Sequence, residues 1–137
     1  GTGFDSIRFF LERHNILFEN VTIISNQFEY KDEIVTSYIS PLIHALNKDE
    51  NVLKLFPEIN KKLLERKDVL LFGDSINDVN MILDRNHNQV IRVGLLNEKD
   101  PGEKVDLLPR FVEKFDLVIE DDGNLEPVYS TLLKLKN

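Results

Sequence analysis

The sequence predicts an α/β fold: a mostly parallel sheet with helices on both of its faces, plus one short β-hairpin. Apolar runs typical of strands alternate with segments of helical spacing along the chain. The run at 69–72 has four consecutive apolar residues and is followed by Gly73, which is typical of a strand buried on both faces. A polar cluster and a helical pattern follow it directly, as in the strand-to-helix connections of parallel sheets.

Size, charge and composition narrow the class of protein. The chain has 137 residues, 42% of them apolar and nine of them Phe, so we expect one domain with a real core. The net charge is −7 and the basic residues are scattered, which predicts no nucleic-acid partner. No apolar run approaches the roughly 20 residues of a membrane span, so no membrane partner is expected. Without cysteine, these residues form neither disulfides nor thiolate metal sites.

The first third of the chain predicts a helix, a strand, a hairpin and a second helix. Residues 4–14 have helical spacing, and residues 21–25 are a β-branched run typical of a strand. Apolar stretches on both sides of the polar turn at 31–33 predict the hairpin. A serine hydroxyl followed by Pro41 predicts a helix start. The buried face of that helix is expected to carry Leu42, Ile43 and Leu46.

From Pro57 onward, helix and strand alternate regularly. The predicted elements are a helix from Pro57, the strand at 69–72, a helix at about 76–83, a polar turn at 84–88, a strand at 89–94, a loop at 97–102, a helix at 105–115, a strand at 117–119, a turn at 121–124 and a closing helix at 125–135. In open α/β sheets, ligands bind at the carboxyl ends of the parallel strands. We therefore expect a site just beyond residue 72.

Two acidic residues follow the central strand. Asp74 lies at the strand tip, and Asp78 falls in the first turn of the predicted helix. Two carboxylates that converge there can complete the oxygen shell of a Mg²⁺ ion. Alternatively, Asp74 or Ser75 caps the helix and Asp78 complements its dipole. The buried strand and Gly73 favour the metal site.

Lys48 is a candidate phosphate ligand. A phosphate held near Mg²⁺ and carboxylates needs a compact cation to offset the negative charge, and an ammonium group provides one. Alternatively, Lys48 is a solvated surface charge in a polar Asn-Lys-Asp setting. The three histidines, His14, His44 and His87, share no metal-ligand spacing, so core or surface roles are expected for them.

Several segments resemble one known family. The segment LFGDSIND at 71–78 resembles the fourth motif of the haloacid dehalogenase superfamily, in which a Gly-Asp pair is followed by a further Asp. The segment LIHALNK at 42–48 resembles the stretch that carries the third-motif Lys in the cytosolic 5′-nucleotidase III (pyrimidine 5′-nucleotidase) family. The segments at 21–26, 91–97 and 115–119 also fit that family, so the similarity covers nearly the whole chain.

The resemblance implies a Rossmann-like, haloacid dehalogenase-like core that lacks its first strands, and a cytoplasmic, Mg²⁺-dependent enzyme. Asp74 would be a direct Mg²⁺ ligand, and Asp78 would lie in or just behind the metal shell. Lys48 would contact both the phosphoryl group and the nucleophile. Backbone N–H groups near Gly1 would contact phosphate. The implied reaction is hydrolysis of nucleoside 5′-monophosphates, pyrimidine ones first, through an aspartyl-phosphate.

One part of the family pattern has no match here. The first motif, Asp-x-Asp, supplies the nucleophile and the general acid, and no segment fits it. We therefore expect residues 1–137 to be the C-terminal part of the core, without first motif and cap, inactive alone, and completed by the N-terminal half of the same protein. Two alternatives stay open: a related phosphatase acting on a small ester such as phosphoserine, and a non-catalytic binding module on the same scaffold.

Overall fold

The computed structural model describes residues 3–44, 47–83 and 87–135. The chain divides into two compact units, Gly1–Lys48 and Asp49–Asn137. The assignment of residues 1–137 to one hydrolase core stays a prediction.

In the described residues of the first unit, the predicted first helix and the predicted antiparallel hairpin are present. Helix α1 spans Phe4–Arg13, and strands β1 (Phe28–Lys31) and β2 (Ile34–Tyr38) pair antiparallel. Asp32 and Glu33 form the turn between them with φ of 51° and 64°, in the left-handed region that tight hairpin turns use.

The strand predicted at 21–25 is not formed in this structure. These residues belong to no strand, and no described strand pairs with them. The β-branched run was a correct indicator of strand propensity, but a strand also needs a neighbour to complete its hydrogen-bond ladder. The carbonyl of Asn26, just beyond the run, instead accepts from the N–H of Phe4 at 2.8 Å.

The helix predicted from Pro41 is also wrong for residues 40–44, which are not helical; Leu46 lies outside the described residues. Two asparagine side chains take backbone groups that a helix would use. Asn26 Oδ1 accepts from Ile43 N–H at 2.7 Å, and Asn26 Nδ2 donates to Ile43 O at 2.8 Å. Asn47 Nδ2 likewise donates to the Leu42 carbonyl at 2.8 Å. Such side-chain hydrogen bonds compete with helix formation.

The second unit has the predicted alternation of helix and strand. Its elements are a 3₁₀-helix at Val52–Leu55, α2 (Pro57–Glu65), β3 (Asp68–Gly73), a 3₁₀-helix at Ile76–Met81, β4 (Gln89–Leu96), α3 (Pro101–Lys114), β5 (Leu117–Glu120) and α4 (Glu126–Leu135). The three strands form a parallel sheet in the order β3-β4-β5. The helix predicted at about 76–83 is thus a shorter 3₁₀-helix, and α3 begins within the predicted loop at 97–102.

Helices α3 and α4 cover opposite faces of this sheet. Val93 is fully buried and packs with Val128 of α4. Leu96 packs on the other side with Phe111 of α3 and with Phe115, the C-cap residue of that helix. Side chains alternate between the two faces along a strand, and positions 93 and 96 obey that alternation. The predicted parallel sheet with helices on both faces is therefore confirmed.

Gly94 explains how closely α3 approaches the sheet. A Cβ atom at position 94 would lie 2.8 Å from Cδ1 of Phe111 and 2.8 Å from Cδ2 of Phe115. The two rings stack with their centroids 5.2 Å apart. No helix in the described part of the chain is long and apolar enough to span a membrane.

Candidate functional site

The residues after β3 form a capped turn at the carboxyl edge of the sheet. Ser75 is the N-cap of the 3₁₀-helix, and its hydroxyl accepts from Asn77 N–H at 3.3 Å. Asp78 Oδ2 accepts from the N–H groups of Asp74 and Ser75, each at 3.1 Å. Ser75 and Asp78 thus make a reciprocal capping box. The capping interpretation of this motif is confirmed for Ser75, and it is compatible with a metal role.

Gly73 allows the turn to close tightly over the strand end. A Cβ atom at position 73 would lie 2.5 Å from Cβ and 3.0 Å from Oδ2 of Asp78. Asp78 is 9% exposed, so its side chain is packed under the turn and has little room to move away. The absence of a side chain at position 73 is therefore what admits the Asp78 carboxylate.

Asp74 and Asp78 are brought together, but in different environments. The Asp74 side chain is exposed at the strand tip and makes no hydrogen bond or ion pair with a described residue, whereas Asp78 is buried and hydrogen-bonded to backbone. Among the described residues, no group of three His, Cys, Asp or Glu side chains forms a complete metal cage. Mg²⁺ commonly uses only one or two carboxylates, together with water and substrate phosphate. This donor set therefore fits Mg²⁺.

A cleft of about 510 Å³ opens beside the capped turn. It is lined by the turn at 74–77, the end of β4 and one face of α3, including Asn97, Glu98, Arg110 and Phe111. Sequence reasoning did not single out Asn97 or Arg110. Asn97 directly follows a parallel strand, which is a usable signal for a residue at this edge. Arg110 lies within a helical pattern and carries no such signal.

The loops after β4 and β5 are fastened to each other at the same edge. Asn97 Nδ2 donates to Asp122 Oδ1 at 2.7 Å, and Asp122 N–H donates back to Asn97 Oδ1 at 2.9 Å. Lys104 on α3 lies 2.6 Å from Asp121 Oδ2 and 3.1 Å from Glu120 Oε2. These hydrogen bonds raise the pKa of Lys104, and the bond to Asp121 has a larger effect than the bond to Glu120. Asn97, which lines the cleft, is therefore held in place by hydrogen bonds to the loop after β5.

The other predicted site residues, Lys48 and Gly1, lie outside the second unit, and the histidines were predicted to have core or surface roles. Lys48 is exposed and is the last residue of the first unit, so its role as a phosphate ligand stays a prediction. Gly1 lies outside the described residues. Of the three histidines, His87 is largely buried against Glu50, with Nε2 and Oε1 2.8 Å apart.

The fold and the acidic turn define a class: an α/β protein with a carboxylate site at the tip of a parallel strand. The model of the pyrimidine 5′-nucleotidase (UMPH-1) family matches residues 1–136. The chain belongs to this family. The resemblance stated from the sequence is therefore confirmed.

Relatives and a solved structure agree with that assignment. A 7-methylguanosine phosphate-specific 5′-nucleotidase of Drosophila melanogaster is 29% identical over 126 residues, which are 91% of this chain and 38% of the relative. The protein of the same description from Gallus gallus is 28% identical over 130 residues, 93% of this chain and 43% of the relative. The crystal structure of cytosolic 5′-nucleotidase IIIB bound to cytidine matches with a TM-score of 0.76 and 28% identity, over 96% of this chain and 43% of that chain. The chain thus spans about two-fifths of the proteins that it matches.

Proposed function

We propose that residues 1–137 are the C-terminal part of a Mg²⁺-dependent 5′-nucleotidase that hydrolyses nucleoside 5′-monophosphates to nucleoside and phosphate. Family membership and relatives that are themselves phosphoric monoester hydrolases support the reaction class. The observation that carries the proposal is the turn after β3, where a buried Asp78 holds the backbone of an exposed Asp74 by a hydrogen bond of 3.1 Å.

In this proposal Asp74 is a direct metal ligand and Asp78 is a second acidic residue, in or just behind the metal shell. The exposed carboxylate of Asp74 is accessible to an ion and its water. The carboxylate of Asp78 accepts two backbone N–H groups, which fixes the direction in which Asp74 leaves the strand. Bound Mg²⁺ would neutralise phosphate charge and orient the phosphoryl group.

Lys48 and the backbone near Gly1 are proposed to bind the phosphoryl group. An ammonium serves as a point charge for phosphate, which is the role that the resemblance gives to Lys48. Hydrolysis of phosphate monoesters is among the slowest uncatalysed reactions, so the complete set of catalytic groups is needed. The nucleophile that forms the aspartyl-phosphate is proposed to come from the N-terminal half of the same cytoplasmic protein, so residues 1–137 alone should be inactive.

Two substrate classes follow from the comparisons. The family name and the cytidine-bound structure support pyrimidine nucleotides, which we take as the preferred substrates. The curated relatives are named for 7-methylguanosine phosphate, so 7-methylguanosine 5′-monophosphate is the second candidate. Both share the 5′-phosphate that the carboxylate site would recognise through Mg²⁺.

The test is a comparison of variants in the complete protein. Asp74→Asn keeps the size of the side chain but removes its charge, and should lower kcat/KM for CMP or UMP by roughly 100-fold or more. Asp106→Asn is the matched control, because Asp106 is an exposed acid on α3. Measurement of Mg²⁺ affinity by calorimetry separates metal binding from turnover.

Other outcomes select the alternatives. Turnover of phosphoserine without turnover of any nucleotide would make the protein a related small-ester phosphatase. Nucleotide binding without turnover in the complete protein, unchanged by Asp74→Asn, would make it a non-catalytic binding module. Either result would overturn the proposed nucleotidase.

A further inference from the structure

The carboxylate and backbone of Glu50 join three stretches of the second unit. The Glu50 N–H donates to the Met81 carbonyl at 3.1 Å, and Glu50 Oε2 accepts from Leu83 N–H at 3.3 Å. Glu50 Oε1 lies 2.8 Å from His87 Nε2. The Glu50 and His87 side chains are only 15% and 16% exposed. Electrostatic attraction and hydrogen bonds are stronger between partly buried groups than between the same groups in water, because the local dielectric constant is lower.

The residues that these contacts join are close in sequence to proposed site residues. Glu50 follows Lys48 by two residues in the sequence. Met81 is the last residue of the 3₁₀-helix that Ser75 caps and that contains Asp78. Glu50 therefore ties the chain just after the proposed phosphate ligand to the end of the acidic turn.

The contacts of Glu50 differ in kind. His87 Nε2 is buried and has no hydrogen bond of acceptable angle to a described residue, although Glu50 Oε1 is 2.8 Å away. The contact with His87 is therefore one of proximity. The hydrogen bond from Leu83 N–H is directional, so an acceptor oxygen at position 50 restrains the backbone at Leu83.

We propose that Glu50 is a positioning residue of the nucleotidase: it fixes the backbone that leads away from Lys48 against the end of the turn that carries Asp78. This inference rests on the proposed function. Glu50 itself touches no reacting atom in this scheme. Its effect is on geometry, and small displacements of catalytic groups lower the rate of the chemical step strongly.

The experiment compares three variants of Glu50 in the complete enzyme. Glu50→Ala removes the acceptor oxygen, and Glu50→Asp withdraws it by one carbon–carbon bond. Glu50→Gln keeps an acceptor oxygen for Leu83 N–H and nearly the same side-chain size. Glu65→Ala is the control, because Glu65 is an exposed acid at the end of α2.

We expect Glu50→Ala and Glu50→Asp to lower kcat about 10-fold or more while KM changes less than about threefold, because orientation rather than binding is lost. Glu50→Gln should retain kcat within about threefold of wild type, since the hydrogen-bond acceptor is kept. Amide hydrogen exchange at Leu83 should accelerate in the Ala variant and stay slow in the Gln variant. The Glu65→Ala control should match wild type in both measurements.

Unchanged kcat in Glu50→Asp and Glu50→Ala would overturn the inference, and so would a loss of kcat in Glu50→Gln with slow Leu83 exchange. If Glu50→Ala does not fold, the kcat of Glu50→Asp alone tests the inference, because this variant keeps the charge and most of the side chain. Failure of the proposed function is seen separately: wild-type enzyme would then show no nucleotide turnover, or Asp74→Asn would leave it intact.

Discussion

The carboxylate of Asp78 accepts a hydrogen bond from the backbone N–H of Asp74 at 3.1 Å. The second acid of the motif therefore holds the main chain of the first, in addition to any contact with a cation. A capping role and a metal role are often treated as alternatives for such a pair. The structure shows the capping role of Asp78, and the proposed function adds the metal role; the two roles can be tested separately by substitution.

Asp78→Ala should destabilise the complete protein by about 1–3 kcal/mol, because two partly buried backbone N–H groups lose their acceptor. Asp78→Asn keeps an acceptor oxygen and should cost less than about 1 kcal/mol, since Asn and Asp cap almost equally well. Both variants should weaken Mg²⁺ binding. Urea denaturation and calorimetry measure the two effects, with Asp106→Ala as control. Wild-type stability in Asp78→Ala would contradict the capping role.

Gly73→Ala should lower both stability and nucleotide turnover. The added Cβ would lie 2.5 Å from Cβ of Asp78, and overpacking of this kind costs about 1–3 kcal/mol. Gly102→Ala is a matched control in the first turn of α3, where the Cβ would meet only Asp100 Oδ1 at 3.1 Å. That oxygen belongs to an exposed side chain, so Ala at position 102 should change stability by less than about 1 kcal/mol. Equal thermal stability of the two variants would show that the turn can open to admit a side chain.

The second unit could be predicted from the sequence because its signals and its packing agree. The apolar run at 69–72 lies within β3, as predicted, but the prediction that this strand is buried on both faces is wrong. Leu70 and Phe72 are each 38% exposed, because β3 is an edge strand whose second face is not covered by the described residues. The spacing of Phe111 and Phe115 predicted the buried face and the end of α3 within one residue, although the helix begins four residues before the predicted start. Local patterns succeed here because each element packs against its sequence neighbours, which are present in the same unit.

The first unit was harder to predict because its outcome depends on partners that local patterns do not show. The run at 21–25 has strand propensity but no paired strand in the described residues. The helix predicted from Pro41 does not form at residues 40–44, where the Asn26 side chain hydrogen-bonds the N–H and the carbonyl of Ile43. Asn26 is 17 residues away from Ile43 in sequence. No local rule indicates that Asn26 binds the backbone of Ile43 on both sides.

The site was predicted in part, and for a physical reason. Asp74 and Asp78 are visible in the sequence because strand, Gly and helix cap lie within one short segment. Asn97, Arg110 and Glu50 come from separate elements, and only the folded second unit shows where they lie. Site residues within one turn can thus be found from spacing, whereas those contributed across the sheet edge require the fold.

Phe111→Ala should remove about 3–5 kcal/mol of stability from the complete protein. The ring is 3% exposed, packs with Leu96 and stacks on Phe115, so truncation leaves a cavity in the core beneath the cleft. Val112→Ala, one position along the same helix, is the control. Val112 is 61% exposed, and its truncation should change stability by less than about 0.5 kcal/mol. A small effect of Phe111→Ala in urea denaturation would mean that α3 repacks on the sheet.

Lys104 should contribute to stability at neutral pH and lose that contribution in strong alkali. Hydrogen bonds to Asp121 and then to Glu120 raise its pKa above the ordinary value of about 10.4. A group whose pKa is raised on folding makes its full contribution to stability when the pH is below its pKa in the unfolded protein. That contribution disappears as the pH rises through its pKa in the folded protein. The difference in Tm between wild type and Lys104→Met should therefore be constant near neutrality and shrink above about pH 10. Lys99→Met, which removes an exposed lysine, is the control and should show no such window. A Tm difference that persists through strong alkali would show that Lys104 acts through its aliphatic packing instead of its charge.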